Sequence, residues 1–232
     1  MSSENLDNLK KAAAFRAVEF VRDGMVVGLG TGSTAKHLLV ALGEQVRAGK
    51  KLRGVSTSQE TAALAREAGI SLIDTEDRWE IDVAIDGADQ VDPDFNLIKG
   101  GGGALLKEKI VVASAKQFIV MVDYTKQVSV LGGSFPLPIE IIPFGWGSTA
   151  RKIELLTKSR AMLREYHGVP FKTEAGHFIL DVHIGRIDRP GELETALNLI
   201  PGVVETGLFV GRTNVLIIGM PQGVHAIHVP RK

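Results

Sequence analysis

The stretch VVGLGTGSTA, residues 26–35, places two apolar residues ahead of three glycines and then three hydroxyl side chains. This order is typical of a short buried strand that ends in a tight turn and opens a helix. Such a turn directs backbone N–H groups and the positive end of a helix dipole to one point, which suits an anion. The stretch therefore predicts an α/β domain with an anion-binding turn after its first strand.

The chain on either side of this turn alternates between helical and strand-like segments. Apolar residues at helical spacing predict a first helix from Leu6 to Phe20. Further helices are predicted at 33–49, 59–68 and 104–115, the first of them capped by Ser33 or Thr34. Strands are predicted at 25–29, 52–57, 70–74, 81–86 and 117–123. Strands joined by helices favour right-handed crossovers and a mostly parallel, Rossmann-like sheet with both faces covered.

The composition changes past Lys126, where Gly132-Gly133 and the proline-rich stretch FPLPIEIIPFG at 135–145 indicate a linker. Residues 131–205 are predicted to form a smaller ferredoxin-like βαββαβ domain. Its strands are expected at 139–142, 161–163, 178–183 and 203–209, and its helices at 148–157 and 191–199. The apolar run 214–220 favours a buried parallel strand, so the smaller domain is expected as an insertion between residues 1–130 and 206–232.

Composition excludes several classes of protein. The 27 Lys and Arg residues balance 27 Asp and Glu residues, so nothing favours nucleic-acid binding. There is no cysteine, which excludes disulfides and thiolate metal sites. Residues 1–10 are too polar for a signal peptide, and no apolar run reaches the roughly 18 residues of a membrane span. A cytoplasmic protein without membrane or nucleic-acid partners is expected.

The first glycine turn suits a monophosphate, because Gly32 is flanked by the hydroxyl donors Thr31, Ser33 and Thr34. A dinucleotide fingerprint fits poorly, since its third glycine would fall on Ser33. The strand at 52–57 does not end in an acidic residue that could hold a ribose but in Ser56-Thr57-Ser58, which also argues against an S-adenosylmethionine enzyme. No Lys follows the glycines as a nucleoside-triphosphate loop requires. A tight turn without a ligand remains the alternative.

Charged residues and glycines are densest between Asp82 and Lys109. Asp86 ends an apolar strand, at the edge of a parallel sheet where ligands bind, and Asp89 follows in the same loop. Lys99 precedes a run of four glycines that lets the backbone approach a ligand closely, namely Gly100, Gly101, Gly102 and Gly103. These residues are candidates for substrate contact.

Glu108 lies three residues after Leu105 and four before Val112, on one apolar stripe of the predicted helix. Burial there is expected to raise the pKa of its carboxyl toward the range of a general base. The alternatives are structural: Asp86 as a loop cap, residues 92–94 as a turn, and residues 107–109 as a solvated helix face.

No metal site is expected. Residues 92–103 begin with the spacing of a calcium loop, but position six is Leu97 rather than Gly and position twelve is Gly103 rather than Glu. His225 and His228 have no third ligand nearby in the sequence.

Taken together, these motifs resemble the type A ribose-5-phosphate isomerases. The matching segments are GLGTGSTA at 28–35, DGAD at 86–89, KGGGGALLKEK at 99–109, DYTK at 123–126, PLPIE at 136–140 and PGVVETGLF at 201–209. The resemblance implies interconversion of ribose 5-phosphate and ribulose 5-phosphate without a cofactor or metal. It also implies an α/β domain bearing a ferredoxin-like domain, assembled as a homodimer or a dimer of dimers.

The resemblance further implies a role for each candidate residue. Glu108 would be the base, Asp86 and Lys99 would open the furanose ring and stabilise oxyanion charge, and Asp89 would hold sugar hydroxyls. The first glycine turn would bind the phosphate, with added charge from Lys126 and Lys10.

The chain departs from the family pattern at two positions, with Gln90 in place of the usual Glu and Thr125 in place of the usual Ser. Gln90 removes a negative charge near the expected site. A regulatory protein of the same fold, which binds a sugar phosphate without converting it, is the remaining alternative. It would need the phosphate turn but not the aligned acids.

Overall fold

The computed structural model describes residues 3–230. Its α-helices are α1 (Ser3–Val18), α2 (Ser33–Arg47), α3 (Gln59–Glu67), α4 (Leu105–Ala113), α5 (Trp146–Thr157) and α6 (Pro190–Asn198), with a 3-10 turn at Tyr124–Lys126. Its strands are β1 (Val26–Leu29), β2 (Arg53–Ser56), β3 (Ser71–Leu72), β4 (Val83–Asp86), β5 (Gln90–Val91), β6 (Leu97–Ile98), β7 (Phe118–Asp123), β8 (Leu137–Ile141), β9 (Ala161–Leu163), β10 (Glu165–Tyr166), β11 (Val169–Pro170), β12 (Phe178–Val182), β13 (Val203–Thr206), β14 (Leu208–Phe209), β15 (Val215–Met220) and β16 (Gly223–His228).

The chain forms two compact units. Unit 1 contains residues 3–88, 107–126 and 212–230, and unit 2 contains Asp89–Leu106 and Gln127–Gly211. Unit 1 is built on a seven-stranded sheet in the order β16-β15-β7-β4-β1-β2-β3. All neighbours are parallel except the edge strand β16, which is antiparallel to β15. The predicted Rossmann-like sheet is confirmed, including the return of the chain to it at 214–220.

Helices cover both faces of this sheet because its strands are apolar on both sides. On one face Leu29, Ile85 and Met121 belong to a core that includes residues of α1 and α2. On the other face the small residues Gly28 and Ala84 admit α4. A Cβ atom at Gly28 would lie 2.5 Å from Val111 Cγ1, so this glycine is required by the close approach of the helix.

Unit 2 contains a four-stranded antiparallel sheet in the order β13-β8-β12-β9. Together with α5 and α6 this is the predicted ferredoxin-like βαββαβ arrangement, and that prediction is confirmed. Its core forms where alternate apolar residues of β8 and β12 pack against the two helices, as Ile139, Leu180, Ile153 and Leu197 illustrate. Up to residue 203, the predicted ends of helices and strands differ from the observed ends by no more than three residues.

Among the described residues, some strands are absent from the sequence prediction, namely β5, β6, β10, β11 and β16. The strands β5, β6 and β14 form a three-stranded antiparallel sheet, β10 pairs with β11 in a hairpin, and β16 extends the large sheet. The predicted strand 203–209 is interrupted at Gly207, whose N–H donates to Pro138 O and whose carbonyl accepts from Lys99 N, both at 2.8 Å. Two-residue strands carry no detectable periodicity, which is why the prediction missed β5, β6, β10 and β11.

This small sheet also changes the boundaries of the units. The sequence analysis places residues 89–106 in the α/β domain, whereas in the structure they cluster with unit 2 because β5 and β6 pair with β14. The other boundaries lie after Lys126 and after Gly211, rather than near 130 and 205. No helix among residues 3–230 is long and apolar enough to span a membrane.

Candidate active site

The first glycine turn lies where the strand order of the large sheet reverses, between β1 and β4. In open α/β sheets the carboxyl ends of the two strands at such a reversal flank the ligand crevice. Asp86, the last residue of β4, is 2% exposed, and its Oδ1 accepts from Gly87 N at 2.7 Å and Thr31 N at 3.2 Å. A Cβ atom at Gly30 would lie 2.1 Å from that carboxylate. The turn and the Asp86 carboxylate are therefore packed directly against each other.

The hydroxyl of Thr31 belongs to a buried cluster of hydroxyl groups. Thr31 Oγ1 lies 2.7 Å from Thr57 Oγ1, 3.0 Å from Ser58 Oγ and 3.3 Å from Thr61 Oγ1. Thr57 and Thr61 in turn donate to the carbonyls of Leu29 and Gly30. The sequence analysis gives the Thr31 hydroxyl to the phosphate, but in the structure these three neighbours engage it. The hydroxyl residues after β2 thus support the turn where a dinucleotide enzyme would place an acid.

The other residues of the turn lie at the start of α2. Gly32 is its N-cap, with φ of 105°, and no side chain caps the helix, so the prediction that Ser33 or Thr34 is the cap is wrong. Because glycine alone adopts this φ readily, the chain can enter the helix with its backbone N–H groups exposed at the turn. Ser33 is exposed and Thr34 is half-buried.

Lys10 of α1 reaches the same turn, where its Nζ donates to Ser33 Oγ at 3.2 Å. One helical turn earlier on α1, Asp7 Oδ1 lies 2.9 Å from His37 Nε2 of α2, and this hydrogen bond lowers the pKa of Asp7. The two contacts join the N-terminal half of α1 to the start of α2. Lys10 therefore lies at the turn that the sequence predicts to bind a phosphate, and its role there stays a prediction.

Glu108 lies on α4 and is 5% exposed, so its predicted burial is confirmed. Lys109 is 4% exposed, which makes the solvated-face alternative wrong for both residues. Lys126 is half-buried and ends the 3-10 turn that follows β7, the strand beside β4. It therefore belongs to the same carboxyl edge of the sheet as the first glycine turn.

The second glycine turn, Gly100 to Gly103, lies in unit 2 with Asp89 and Lys99. Asp89 Oδ2 accepts from Gly101 N at 2.8 Å, and Gly103 N donates to Gly100 O at 3.0 Å. The run is predicted to contact a substrate, but the N–H groups of Gly101 and Gly103 are engaged within the turn. Gly100 and Gly103 have positive φ values of 104° and 82°.

Lys99 is 3% exposed, and its Nζ lies 5.6 Å from the centroid of the Phe209 ring. Its backbone N–H is paired with Gly207, as described above. An ammonium group over an aromatic face is held electrostatically at a fixed position. Lys99 and Asp89 thus supply a cation and an anion next to one glycine turn in unit 2.

Sequence reasoning missed Arg164, whose Nη1 donates to the carbonyls of Gly100 and Gly101 at 2.9 and 3.2 Å. Arg164 lies 63 residues along the chain from Gly101, between β9 and β10, in a segment that is predicted only as part of the smaller domain. No local motif could have identified it, since its contact with the turn depends on the sheet of unit 2.

The two departures from the family pattern have structural explanations. The buried amide of Gln90 donates to Gly132 O and accepts from Gly132 N, both at 2.8 Å. A carboxylate could make only the second of these bonds. Thr125 donates from its N–H and its hydroxyl to Asp123 Oδ1, as a Ser would.

Residues 92–96 form a turn between β5 and β6, as one of the structural alternatives predicts. Asp92 Oδ1 accepts from Asn96 N at 2.8 Å, and Asp92 Oδ2 accepts from Asn96 Nδ2 at 3.0 Å. Among residues 3–230, no group of three or more His, Asp or Glu side chains is arranged to hold a metal ion.

A protein-family model described as ribose 5-phosphate isomerase A (phosphoriboisomerase A) matches residues 53–223. The chain belongs to this family. The isomerase A of Nitrobacter hamburgensis is 51% identical over 228 residues, which cover 96% of this chain and 98% of that protein. The isomerase A of Gloeobacter violaceus is 50% identical over 224 residues, covering 96% and 97%.

Solved structures of the family have the same fold. A D-ribose-5-phosphate isomerase in complex with phospho-erythronic acid matches with a TM-score of 0.92 and 40% identity, covering 96% of this chain and 99% of that one. The isomerase A of Methanocaldococcus jannaschii matches with a TM-score of 0.91 and 39% identity, covering 96% and 99%.

Proposed function

We propose that this protein interconverts ribose 5-phosphate and ribulose 5-phosphate. The proposal rests on sequence similarity to proteins named ribose-5-phosphate isomerase A. Two of them are 51% and 50% identical to this protein over alignments that cover 96% of the chain. The relatives named above are all called isomerases, and none of these names supports a regulatory sugar-phosphate-binding protein.

The reaction moves hydrogen between two neighbouring carbons of the open-chain sugar. A base removes the proton from C2, the electron pair forms a C1=C2 double bond, and the C1 oxygen takes up negative charge. The proton of the O2 hydroxyl passes to O1, and the base returns its own proton to C1, which leaves a ketone at C2. Electrons are conserved within the sugar, so the chemistry requires no redox cofactor.

Glu108 is proposed as the base. Its carboxyl is buried on α4, and removal from water disfavours the charged form of a carboxylate and strengthens it as a base. Lys99 and Asp86 are proposed to assist ring opening, and Lys99 to stabilise the oxyanion, because a buried ammonium acts strongly on developing charge. Asp89 is proposed to hold sugar hydroxyls.

The phosphate is proposed to bind at the start of α2, where Gly32, Ser33 and Thr34 present backbone N–H and hydroxyl donors. Lys10 adds charge from α1, where it already contacts Ser33, and Lys126 adds charge from the end of β7. Binding of this remote group orients the reacting carbons. This orientation lowers the activation barrier by on the order of several kcal/mol.

The protein is also proposed to act in the cytoplasm as a homodimer or a dimer of dimers, in keeping with the family resemblance. Sedimentation equilibrium at micromolar concentration gives the mass of the assembly directly. A monomeric mass would contradict this part of the proposal.

The function is tested by incubating purified, EDTA-treated protein with ribose 5-phosphate and following ketose formation. Product is expected without any addition. If no ketose forms, the protein is not this isomerase, and if it forms only after metal is added, the cofactor-free mechanism is wrong.

Glu108→Gln removes the base while keeping the shape of the side chain. Turnover is expected to fall on the order of 10²- to 10⁴-fold with KM nearly unchanged. Phospho-erythronic acid, the ligand of the solved relative, should still bind, which shows that the variant is folded. The matched control is Glu67→Gln at the exposed end of α3, which should retain full turnover. Equal turnover in both variants would reject Glu108 as the base.

A further inference from the structure

The peptide group that joins Gly100 to Gly101 is held at both ends by charged side chains of unit 2. Its carbonyl oxygen accepts from Arg164 Nη1 at 2.9 Å, and its N–H donates to Asp89 Oδ2 at 2.8 Å. A cation thus lies at the negative end of the peptide dipole and an anion at the positive end. Hydrogen bonds to ionised groups are about twice as strong as neutral ones, so together they fix the plane of this peptide.

Arg164 is itself held rigidly. Its Nε donates to Asp181 Oδ2 at 2.8 Å and its Nη2 to Asp181 Oδ1 at 2.5 Å, a two-point contact between side chains only 15% and 20% exposed. Its guanidinium carbon lies 5.9 Å from the centroid of the Phe171 ring. Only the planar fork of arginine can bind a carboxylate at two points and still direct a third nitrogen at the turn.

The glycine turn needs such external support because its own backbone supplies little. Gly100 has a φ of 104°, and glycine residues are free to rotate between positive and negative φ. If the Gly100–Gly101 peptide rotated, Asp89 would lose the N–H group that orients its carboxylate. Phe171 restricts the far end of the turn, since a Cβ atom at Gly103 would lie 2.6 Å from its ring.

We propose that Arg164 is a positioning residue for the isomerisation, acting through the Gly100–Gly101 peptide on Asp89. Arg164 does not touch the substrate. It keeps the peptide in one orientation, and the peptide N–H keeps the Asp89 carboxylate in the position from which it binds the sugar. Asp181 serves the same purpose one step further away by fixing the guanidinium. This inference rests on the function proposed above.

The test is a double-mutant cycle in the full-length protein with Arg164→Met, Asp89→Asn and the double variant. Arg164→Met is expected to lower kcat/KM about tenfold to 100-fold, the range that a misplacement of about 1 Å produces. In the Asp89→Asn background, Arg164→Met should lower kcat/KM less than about threefold, because the residue through which Arg164 acts is already impaired. Where turnover is too slow to measure, the cycle is run on the affinity for phospho-erythronic acid.

Two further variants separate positioning from stability. Arg164→Lys keeps the charge but not the fork, and should recover part of the lost activity. Arg186→Met is the matched control, because Arg186 forms an exposed ion pair with Asp188 in the same unit, and it should behave as the unmodified protein. If Arg164→Met does not fold, Asp181→Asn replaces it in the cycle. Asp181→Asn should lower kcat/KM by a smaller factor, and this decrease should also depend on the presence of Asp89.

The inference is overturned if Arg164→Met has the kcat/KM of Arg186→Met, or if its loss is equal with Asp89 and with Asn at position 89. The second result would mean that Arg164 supports unit 2 in general. Absence of ketose formation by the unmodified protein would instead overturn the proposed function, while the cycle on ligand affinity would still test the path from Arg164 to Asp89.

Discussion

The two glycine turns of this molecule are supported in different ways. The turn at Gly28 to Gly32 is held by close packing against Asp86 and by neutral hydroxyl groups, with Thr31 at their centre. The turn at Gly100 to Gly103 is held by the charged side chains of Arg164 and Asp89. The first should therefore be sensitive to lost hydroxyls and to added volume at Gly30, and the second to changes of charge at Arg164 and Asp89.

Gly30→Ala should have the largest effect on the first turn. The added Cβ would meet Asp86 at 2.1 Å, and a buried carboxylate bonded to two N–H groups cannot move without losing those bonds. We expect a loss of about 3 kcal/mol in the free energy of unfolding, from overpacking and broken hydrogen bonds, measured by urea denaturation.

Gly102→Ala is the matched change in the second turn. A Cβ atom there would meet nothing within 4 Å, and Gly102 is not among the glycines with positive φ. Its free energy of unfolding should stay within about 0.5 kcal/mol of that of the unmodified protein. Similar losses in the two variants would show that the loss in Gly30→Ala does not come from the contact with Asp86.

Thr31→Val keeps the shape of the side chain and removes the hydroxyl from the cluster with Thr57, Ser58 and Thr61. Leaving buried hydroxyls short of a partner costs about 1 to 3 kcal/mol, so unfolding should become easier by that amount. Thr34→Ala, on the same turn but outside the hydroxyl cluster, should raise KM for ribose 5-phosphate without this loss. If Thr31→Val changed only KM, its hydroxyl would bind the phosphate after all.

Much of unit 1 could be predicted from the sequence because its information is local. The turn at 26–35, the end of β4 at Asp86 and the helical spacing of Glu108 each lie within a few residues of chain. Strand and helix periodicity is visible over such distances, and the rule for parallel sheets places the strand ends together.

The supports of both turns could not be predicted, because they come from distant parts of the chain. The hydroxyl cluster joins Thr31 to residues 26 to 30 positions away, and Arg164 meets the second turn from 63 and 64 positions away. From the sequence, the hydroxyl residues after β2 indicate only that the chain lacks the acidic residue that holds a ribose in dinucleotide-binding enzymes. Which side chains meet across such separations depends on sheet pairing, which no single motif encodes.

Lys10→Met tests the charge that α1 brings to the first turn. Its ammonium contacts Ser33, and its loss should raise KM for ribose 5-phosphate about threefold to tenfold with kcat preserved. The effect should shrink as salt is added, because the partly exposed charge is screened. Lys11→Met, at the neighbouring position on α1, is the control and should leave KM unchanged. An equal rise in both variants would mean that only the general charge of the surface matters.

Replacement of Asp82 should have the smallest effect on stability. Asp82 lies just before β4 and bonds to the start of β1, the strand that leads into the first glycine turn. Its Oδ2 accepts from Val26 N at 2.9 Å, at the start of β1, and its Oδ1 accepts from Lys116 Nζ at 2.8 Å. The hydrogen bond from Lys116 and, next, that from Val26 hold the pKa of Asp82 below its usual value.

A carboxyl whose pKa is lower in the folded state stabilises the fold above its unfolded pKa of about 4. This stability is lost as the pH falls through the folded pKa, since the proton then binds in both states. Asp82→Asn should therefore be less stable than the unmodified protein at pH 7, and the difference should disappear in strong acid. The difference is expected to be small because Lys116 and Asp82 are 66% and 29% exposed. Thermal denaturation from pH 7 to 3 measures it against the exposed control Asp77→Asn. A difference independent of pH would show that Asp82 acts by its shape and not by its charge.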